Sequence, residues 1–236
     1  MINDHWDEHP IHSFESSRTI FWASPRGSGQ VPHQRAGAQR QLKLMSIYFV
    51  LFGLLLQTAA PAAPLQPAPG NPVVTIETSM GAITIELFKD QAPVSTANFL
   101  QYVRDGFYPG TVWHRVVPGY VIQGGGYTSE LAEKGTRPPI QNEATNGLSN
   151  RRGTVAMART RALRSATSQF YINLANNTRL DHQGFSPDMF GYAVFGRVID
   201  GMDVVDRIGA VKTGVRDGME DVPLEPVIIK AVTEKK

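Results

Sequence analysis

Trp113-His114-Arg115-Val116-Val117-Pro118-Gly119-Tyr120-Val121-Ile122-Gln123-Gly124-Gly125 is the stretch on which the reading of the fold turns. It holds two short β-branched and aromatic runs, Val112–Val117 and Tyr120–Gln123, which read as strands. Successive side chains on a strand point to opposite faces, so His114 and Arg115 cannot share one. One packs and the other faces a site, which makes a joint acid–base role awkward. Gly124-Gly125-Gly126 follows the second strand without the Lys-Ser/Thr or G-x-G-x-x-G context of a phosphate cradle. A tight turn or close backbone packing is its expected role.

Outward from this stretch the chain continues in short strands. Val73–Thr78 and Ile83–Phe88 alternate around Ser79-Met80-Gly81 and read as a hairpin. Val74, Ile76, Ile83, Ile85 and Leu87 fall on its apolar phase; Glu77, Thr84 and Glu86 fall on the polar one. Thr154–Ala158, Phe170–Asn173, Ala193–Val198 and Val227–Val232 are further strand candidates. Pro93 opens a helix through Arg104, with Val94, Ala97, Leu100 and Val103 as its apolar face and Asp105-Gly106 as its stop. A second helix covers Met202–Ile208. Eight short strands with two helices predict a mainly β fold, a closed eight-stranded antiparallel barrel capped by the helices, because closure removes exposed edges. The long loops Thr128–Arg152 and Thr178–Gly191 are candidates for carrying function.

The first 72 residues differ in kind. Residues 1–41 show no apolar period and read as a disordered extension, a candidate for an over-long start with initiation near Leu42 or Met45. Lys43, the apolar run Ile47–Leu56 and the small residues around Ala59-Ala60-Pro61-Ala62 form a secretory signal peptide over 42–62, with cleavage expected after Ala62. That run is shorter than the roughly 20 residues a membrane span needs, so no stable membrane insertion is expected after cleavage. Residues 63–72 then form a proline-rich leader, and 73–234 the folded domain. An exported, periplasmic protein is the expectation.

Composition works by exclusion. Lys plus Arg number 23 against 21 Asp plus Glu, so no strong field points to nucleic acid. Arg151, Arg152, Arg159, Arg161 and Arg164 lack interleaved aromatics and read as a solvated loop. No cysteine is present, which removes disulfides, thiolate metal sites and cysteine nucleophiles. His5, His9 and His12 have Pro10 among them and no second ligand cluster, so no metal is expected. Asp181, His182 and Ser168 hint at a triad, but no G-x-S-x-G elbow supports it.

The opening stretch closely resembles the F-H-R-x-I-P-G-F-x-x-Q-G-G signature of the cyclophilins, the peptidyl-prolyl isomerase family. Gly153–Arg159 and Ala166–Ile172 look like the family's second signature, and Leu180-Asp181 and Val194–Val198 follow in the expected order. The resemblance is strongest to bacterial periplasmic members. It implies a cofactor-free peptidyl-prolyl cis-trans isomerase with a substrate groove outside the barrel. Carried over, Arg115 is the catalytic arginine and Gln123 its partner. Tyr120, Val121, Tyr171 and Leu180 line a proline pocket, Gln169 and the backbone of Arg159 contact the substrate chain, and Tyr192 lies at the pocket edge. The implied partners are proline-containing segments of unfolded or exported proteins, with no nucleic acid and a monomeric state. Tyr120 and Tyr171 stand where phenylalanine is common, so their hydroxyls need a polar partner. Arg179 stands where many members have an aromatic residue. A holdase chaperone or a proline-peptide binding module using the same groove is the competing reading.

Overall fold

The computed structural model describes residues 65–235. The expected extension over 1–41 and signal peptide over 42–62 lie outside the described residues, as do the first two residues of the leader. The strands are β1 (Val73–Thr78), β2 (Gly81–Leu87), β3 (Arg115–Val117), β4 (Val121–Gly124), β5 (Thr154–Met157), β6 (Phe170–Asn173), β7 (Val194–Asp200), β8 (Thr213–Arg216), β9 (Met219–Pro223) and β10 (Ile229–Lys235). The helices are α1 (Pro93–Arg104) and α2 (Met202–Gly209). Eight strands form one antiparallel sheet in the order β10-β1-β2-β7-β5-β6-β4-β3, and β8 pairs with β9 in a separate hairpin that the sequence reading did not anticipate.

Strand number and antiparallel sense match the expected barrel; its closure is weaker than expected. The two edges meet through one bridge, Val112↔Ile228. Backbone bonds from Gly110 to Ile229, Ile229 to Thr111 and Trp113 to Val227 reinforce it. Pro109 and Pro226 flank these contacts and have no N–H to donate, so the ladder cannot run on at either side. No helix among the described residues is long and apolar enough to cross a membrane.

The inner face holds an aromatic pile. Phe99 of α1 meets Phe170 edge-on at 5.3 Å and tilts against Tyr108 at 5.2 Å and Phe195 at 5.4 Å, while Trp113 meets Phe170 edge-on at 5.4 Å. This pile corrects the expected face of α1. Val94 is 40% exposed and Ala97 is exposed, and the buried side is Ser95, Thr96, Phe99, Leu100 and Tyr102. Two aromatic rings bury more apolar area than Val94 and Ala97 would, which decides the rotation. The helix start has no side-chain cap of its own. Glu143, from the long loop, supplies one by accepting bonds from the Val94 and Ser95 N–H groups at 3.0 and 2.8 Å.

The polar phase of β2 is also buried. Glu86 is 1% exposed, because residues of the leader lie over it. Its carboxylate accepts bonds from Ala68 N–H (2.7 Å), Asn71 Nδ2 (2.8 Å) and Arg197 Nε (2.8 Å), and Leu65 N–H reaches Ile199 O at 2.9 Å. Burial alone raises the Glu86 pKa. The bonds from Asn71, Ala68 and Arg197, with the guanidinium charge, outweigh burial and hold it below its ordinary 4.5.

Because the folded-state pKa is the lower one, the carboxylate's contribution is complete above about 4.5 and is lost as pH falls through the folded value. Glu86→Gln should therefore lower the unfolding free energy by about 1–3 kcal/mol at pH 7, read by urea denaturation. The gap to wild type should narrow progressively as pH falls below about 4.5; a gap that does not narrow in acid would show that charge plays no part.

Candidate functional site

Period-2 alternation puts a second, smaller apolar cluster on the outside of the sheet. Val116, Ile122, Phe170, Ile172 and Val155 point into the core, while Val121, Tyr171, Ala156 and Val194 form the outer cluster. Register then aligns side chains across five strands. Arg115 pairs with Gln123, Gln123 with Tyr171, Tyr171 with Ala156, and Ala156 with Val194. One straight row thus runs from a cation, through an amide, to an apolar floor.

Loops build the walls. Tyr120, Leu180 at the end of a 3-10 turn, and Tyr192 before β7 pack on the outer cluster, together with Phe88, Leu148 and Ala158. The Tyr171 and Tyr192 rings meet edge-on at 5.9 Å. The Arg159 guanidinium lies 4.7 Å over the Tyr192 ring and donates to Gly191 O and Pro187 O at 3.0 and 2.9 Å, tying the 178–191 loop to the pocket. Gln169 accepts a bond from Gln123 Nε2 at 3.0 Å. Its side chain fits because a Cβ on Gly126 would come within 2.5 Å of Gln169 Cγ, and Gly125 has a left-handed φ of +83°. The glycine run therefore serves close packing, as expected. Cluster packing, cross-strand pairing, the Gln123–Gln169 bond and the Arg159–Tyr192 stack together link all nine residues assigned by resemblance.

The floor of the pocket is uncharged, with the carboxylates Asp181 and Asp221 held at its margin by Asn150 and Arg115. Burial pushes the Tyr120 and Tyr192 phenols above their ordinary 10, with Arg115 offsetting part at Tyr120 and Arg159 part at Tyr192. Burial pushes Tyr171 further still. Its hydroxyl does not reach the groove edge; it donates to Asn150 Oδ1 at 2.8 Å, beneath the floor. Asn150 is oriented by Asp181, which accepts from the Asn150 N–H at 2.6 Å and Nδ2 at 2.9 Å and from Ser149 Oγ at 2.6 Å. Asp181 is thus committed to support. His182 Nδ1 contacts Phe190 O at 2.9 Å, and Ser168 is fully buried with its Oγ unpartnered, so the triad hint has no geometry behind it.

His114 and Arg115 separate as the alternation requires. His114 is buried, 4.6 Å from the Tyr127 ring, with Nδ1 unpartnered, while Arg115 is part-exposed and 3.6 Å from Asp221 on β9. Burial lowers the His114 pKa to about 4; contact with the Val112 backbone and Gln169 offsets part, and Arg115's charge adds to the fall. Sequence reasoning missed Asn150, Ala156, Val194 and Asp221. Ala156 and Val194 follow from alternation once register is known; Asn150 and Asp221 sit in segments with no periodic signal. Arg179 is exposed on the 3-10 turn. A cleft of about 580 Å³ between α1 and residues 137–140 lies apart from this surface. Among the described residues, no cluster of His, Asp and Glu could hold a metal.

Comparison with known proteins gives the same picture. Residues 73–234 match the family model described as cyclophilin type peptidyl-prolyl cis-trans isomerase. Peptidyl-prolyl cis-trans isomerase B of Escherichia coli is 54% identical over 162 residues, covering 68% of this chain and 98% of that protein. A peptidyl-prolyl cis-trans isomerase of Acinetobacter baylyi is 48% identical over 192 residues, covering 81% of this chain and 96% of that protein. A crystal structure of a Cryptosporidium parvum cyclophilin type isomerase superposes with a TM-score of 0.58 at 25% identity, covering 70% of this chain and 98% of that one. A second structure of that protein was solved in the presence of the dipeptide Ala-Pro, with a TM-score of 0.57 and 25% identity over 70% of this chain and 99% of that one.

Since the unfolded His114 titrates near 6.5 and the folded one near 4, only the unfolded chain takes up this proton between those values. Stability should fall by up to about 3 kcal/mol as pH drops through that window. The fall should flatten in His114→Gln, measured by urea unfolding at half-unit pH steps. Parallel curves for the two proteins would contradict it.

Proposed function

The chain belongs to the cyclophilin-type peptidyl-prolyl cis-trans isomerase family, and from that premise we propose an isomerase of exported proteins in which Arg115 hydrogen-bonds the prolyl nitrogen. The observation that carries this is the cross-strand row, in which a guanidinium and an amide stand beside an apolar floor. An X–Pro bond turns slowly because amide resonance opposes rotation by about 18–20 kcal/mol. As the prolyl nitrogen pyramidalises, its lone pair leaves conjugation and can accept a bond from Arg115. Arginine suits the task, being charged at every working pH and able to hold a neighbouring carbonyl with its remaining donors.

One charge-assisted bond contributes roughly 1.5–3 kcal/mol, about ten- to a few-hundredfold in rate. The rest of the acceleration falls to the pocket. Val121, Tyr171, Leu180 and Tyr192 grip the ring while the preceding carbonyl swings, which is binding matched to the twisted state. Gln123, held by Gln169, lies next to Arg115 in the row and limits where the peptide backbone sits.

Arg115→Ala should cut turnover of a proline-containing peptide at least tenfold in a protease-coupled assay on residues 63–236, with the melting temperature unchanged. Full turnover in that variant would remove Arg115 from the chemistry. A holdase role is the second reading, favoured by Phe185 and Met189, which are 81% and 49% exposed on the 178–191 loop. An Arg115→Ala protein that isomerises poorly yet still suppresses aggregation would support it.

Export rests on Lys43, the Ile47–Leu56 run and the alanines after it. We place the mature protein in the periplasm, beginning at Ala63. Expression in a bacterial host followed by N-terminal sequencing of the periplasmic fraction should read Ala63-Pro64-Leu65. An uncleaved chain found in the cytoplasm would refute it.

A further inference from the structure

We propose that Asp221 is a positioning residue for Arg115, and that an irregularity in the β8–β9 hairpin exists to aim it. This rests on the role given to Arg115 above. Asp221 Oδ2 lies 3.6 Å from an Nη of Arg115, and it is the one carboxylate within 4 Å of that guanidinium among the described residues. At this distance the contact is charge attraction rather than a direct hydrogen bond. Both side chains are about one-third exposed (33% and 37%), so the attraction is partly screened, and it acts on a long side chain with many rotamers.

The backbone supplies the second observation. Asp217-Gly218 is the turn of the hairpin, and its positive φ values (+52° and +80°) are what a tight two-residue turn demands. Asp221 also has a left-handed φ, +58°, yet it lies inside β9, away from the turn. Gly214 pairs with Val222 and Arg216 with Met219, so the extra residue of the shifted register falls at Glu220-Asp221. A bulge of this kind ordinarily places glycine in the left-handed position and serves to re-aim a side chain. Here the position carries a carboxylate, and that carboxylate faces Arg115.

The hairpin is anchored for the purpose. Val222 and Pro223 are buried immediately after the bulge, β9 packs beside β3, and Arg216 Nη1 donates to Ser129 O at 3.3 Å. With one side of the guanidinium drawn toward Asp221, its other donors are left to face the groove. Gln123 stands opposite on β4.

Glycine fits the left-handed bulge better than aspartate, so Asp221→Gly separates the carboxylate's role from the fold's needs. Asp221→Gly and Asp221→Asn should each lower kcat three- to tenfold on a short proline peptide, with KM little changed. The melting temperature of the glycine variant should equal or exceed that of wild type. Raising salt from 20 to 500 mM should slow the wild type and leave both variants flat. In an Arg115→Gln background, which removes the cation that Asp221 attracts, the Asp221 substitutions should cost less than twofold further. Wild-type kcat in both variants, or an undiminished loss in the Arg115→Gln background, overturns the assignment. Arg115→Ala run in the same assay keeps the two readings apart. A crippled Arg115→Ala beside a normal Asp221→Gly sinks only the positioning role, whereas full activity in Arg115→Ala removes the premise.

Discussion

The register of five antiparallel strands is the constraint on which the rest depends. Because the side-chain period is two, the same pairing that stacks Val116, Ile122, Ile172 and Val155 inside lines up Arg115, Gln123, Tyr171, Ala156 and Val194 outside. A slip of one residue in β4 would bury Gln123 and expel Ile122. The core therefore fixes the backbone positions of the row, and the Gln123–Gln169, Tyr171–Asn150 and Arg115–Asp221 contacts settle where its side chains point. Isoleucines that never touch a substrate decide where the guanidinium stands relative to the pocket floor.

The inner half of this arrangement was legible in the sequence. Strand alternation located all eight strands of the main sheet, and both helices were found with nearly their observed ends. What failed was the assumption that one face of each element is wet. Glu86 sits on a polar phase, yet it is buried because the leader folds over it and brings its own donors. The apolar face of α1 was misplaced because its burial follows aromatic bulk rather than the count of small apolar residues. The closed barrel is shut by a short seam, since Pro109 and Pro226 interrupt the ladder there. The β8–β9 hairpin left no trace, since its positive-φ turn and bulge override alternation in strands of four and five residues.

The outer half was legible mainly through resemblance. Alternation separates Arg115 from His114, but nothing in spacing says which strand ends meet, and Leu180 and Tyr192 come from a loop whose path only the fold defines. The polar support beneath the floor was invisible. Asn150 has no periodic context, and Asp181 beside His182 invited a hydrolytic reading when its carboxylate serves to orient Asn150 under Tyr171. Tyr171, where phenylalanine is common, thus keeps its side of the pocket apolar, because its hydroxyl is bonded to Asn150 beneath the floor.

Two kinds of polar group surround the row, and burial keeps both of them neutral. Burial favours the neutral form of His114 behind it and raises further the three pocket phenols, which are protonated at neutral pH in any case. The neutral groups around Arg115 therefore leave its guanidinium as the charge that the proposed mechanism sets beside the prolyl nitrogen. Rotation about an amide needs no proton transfer, only a donor and a shape that fit the twisted bond better than the planar one. A site with a cation in the row, an oriented amide beside it and a neutral floor meets that need. It also explains the absence of acid–base machinery from the row: groups that titrate near pH 7 would vary the field at the nitrogen while adding nothing to rotation.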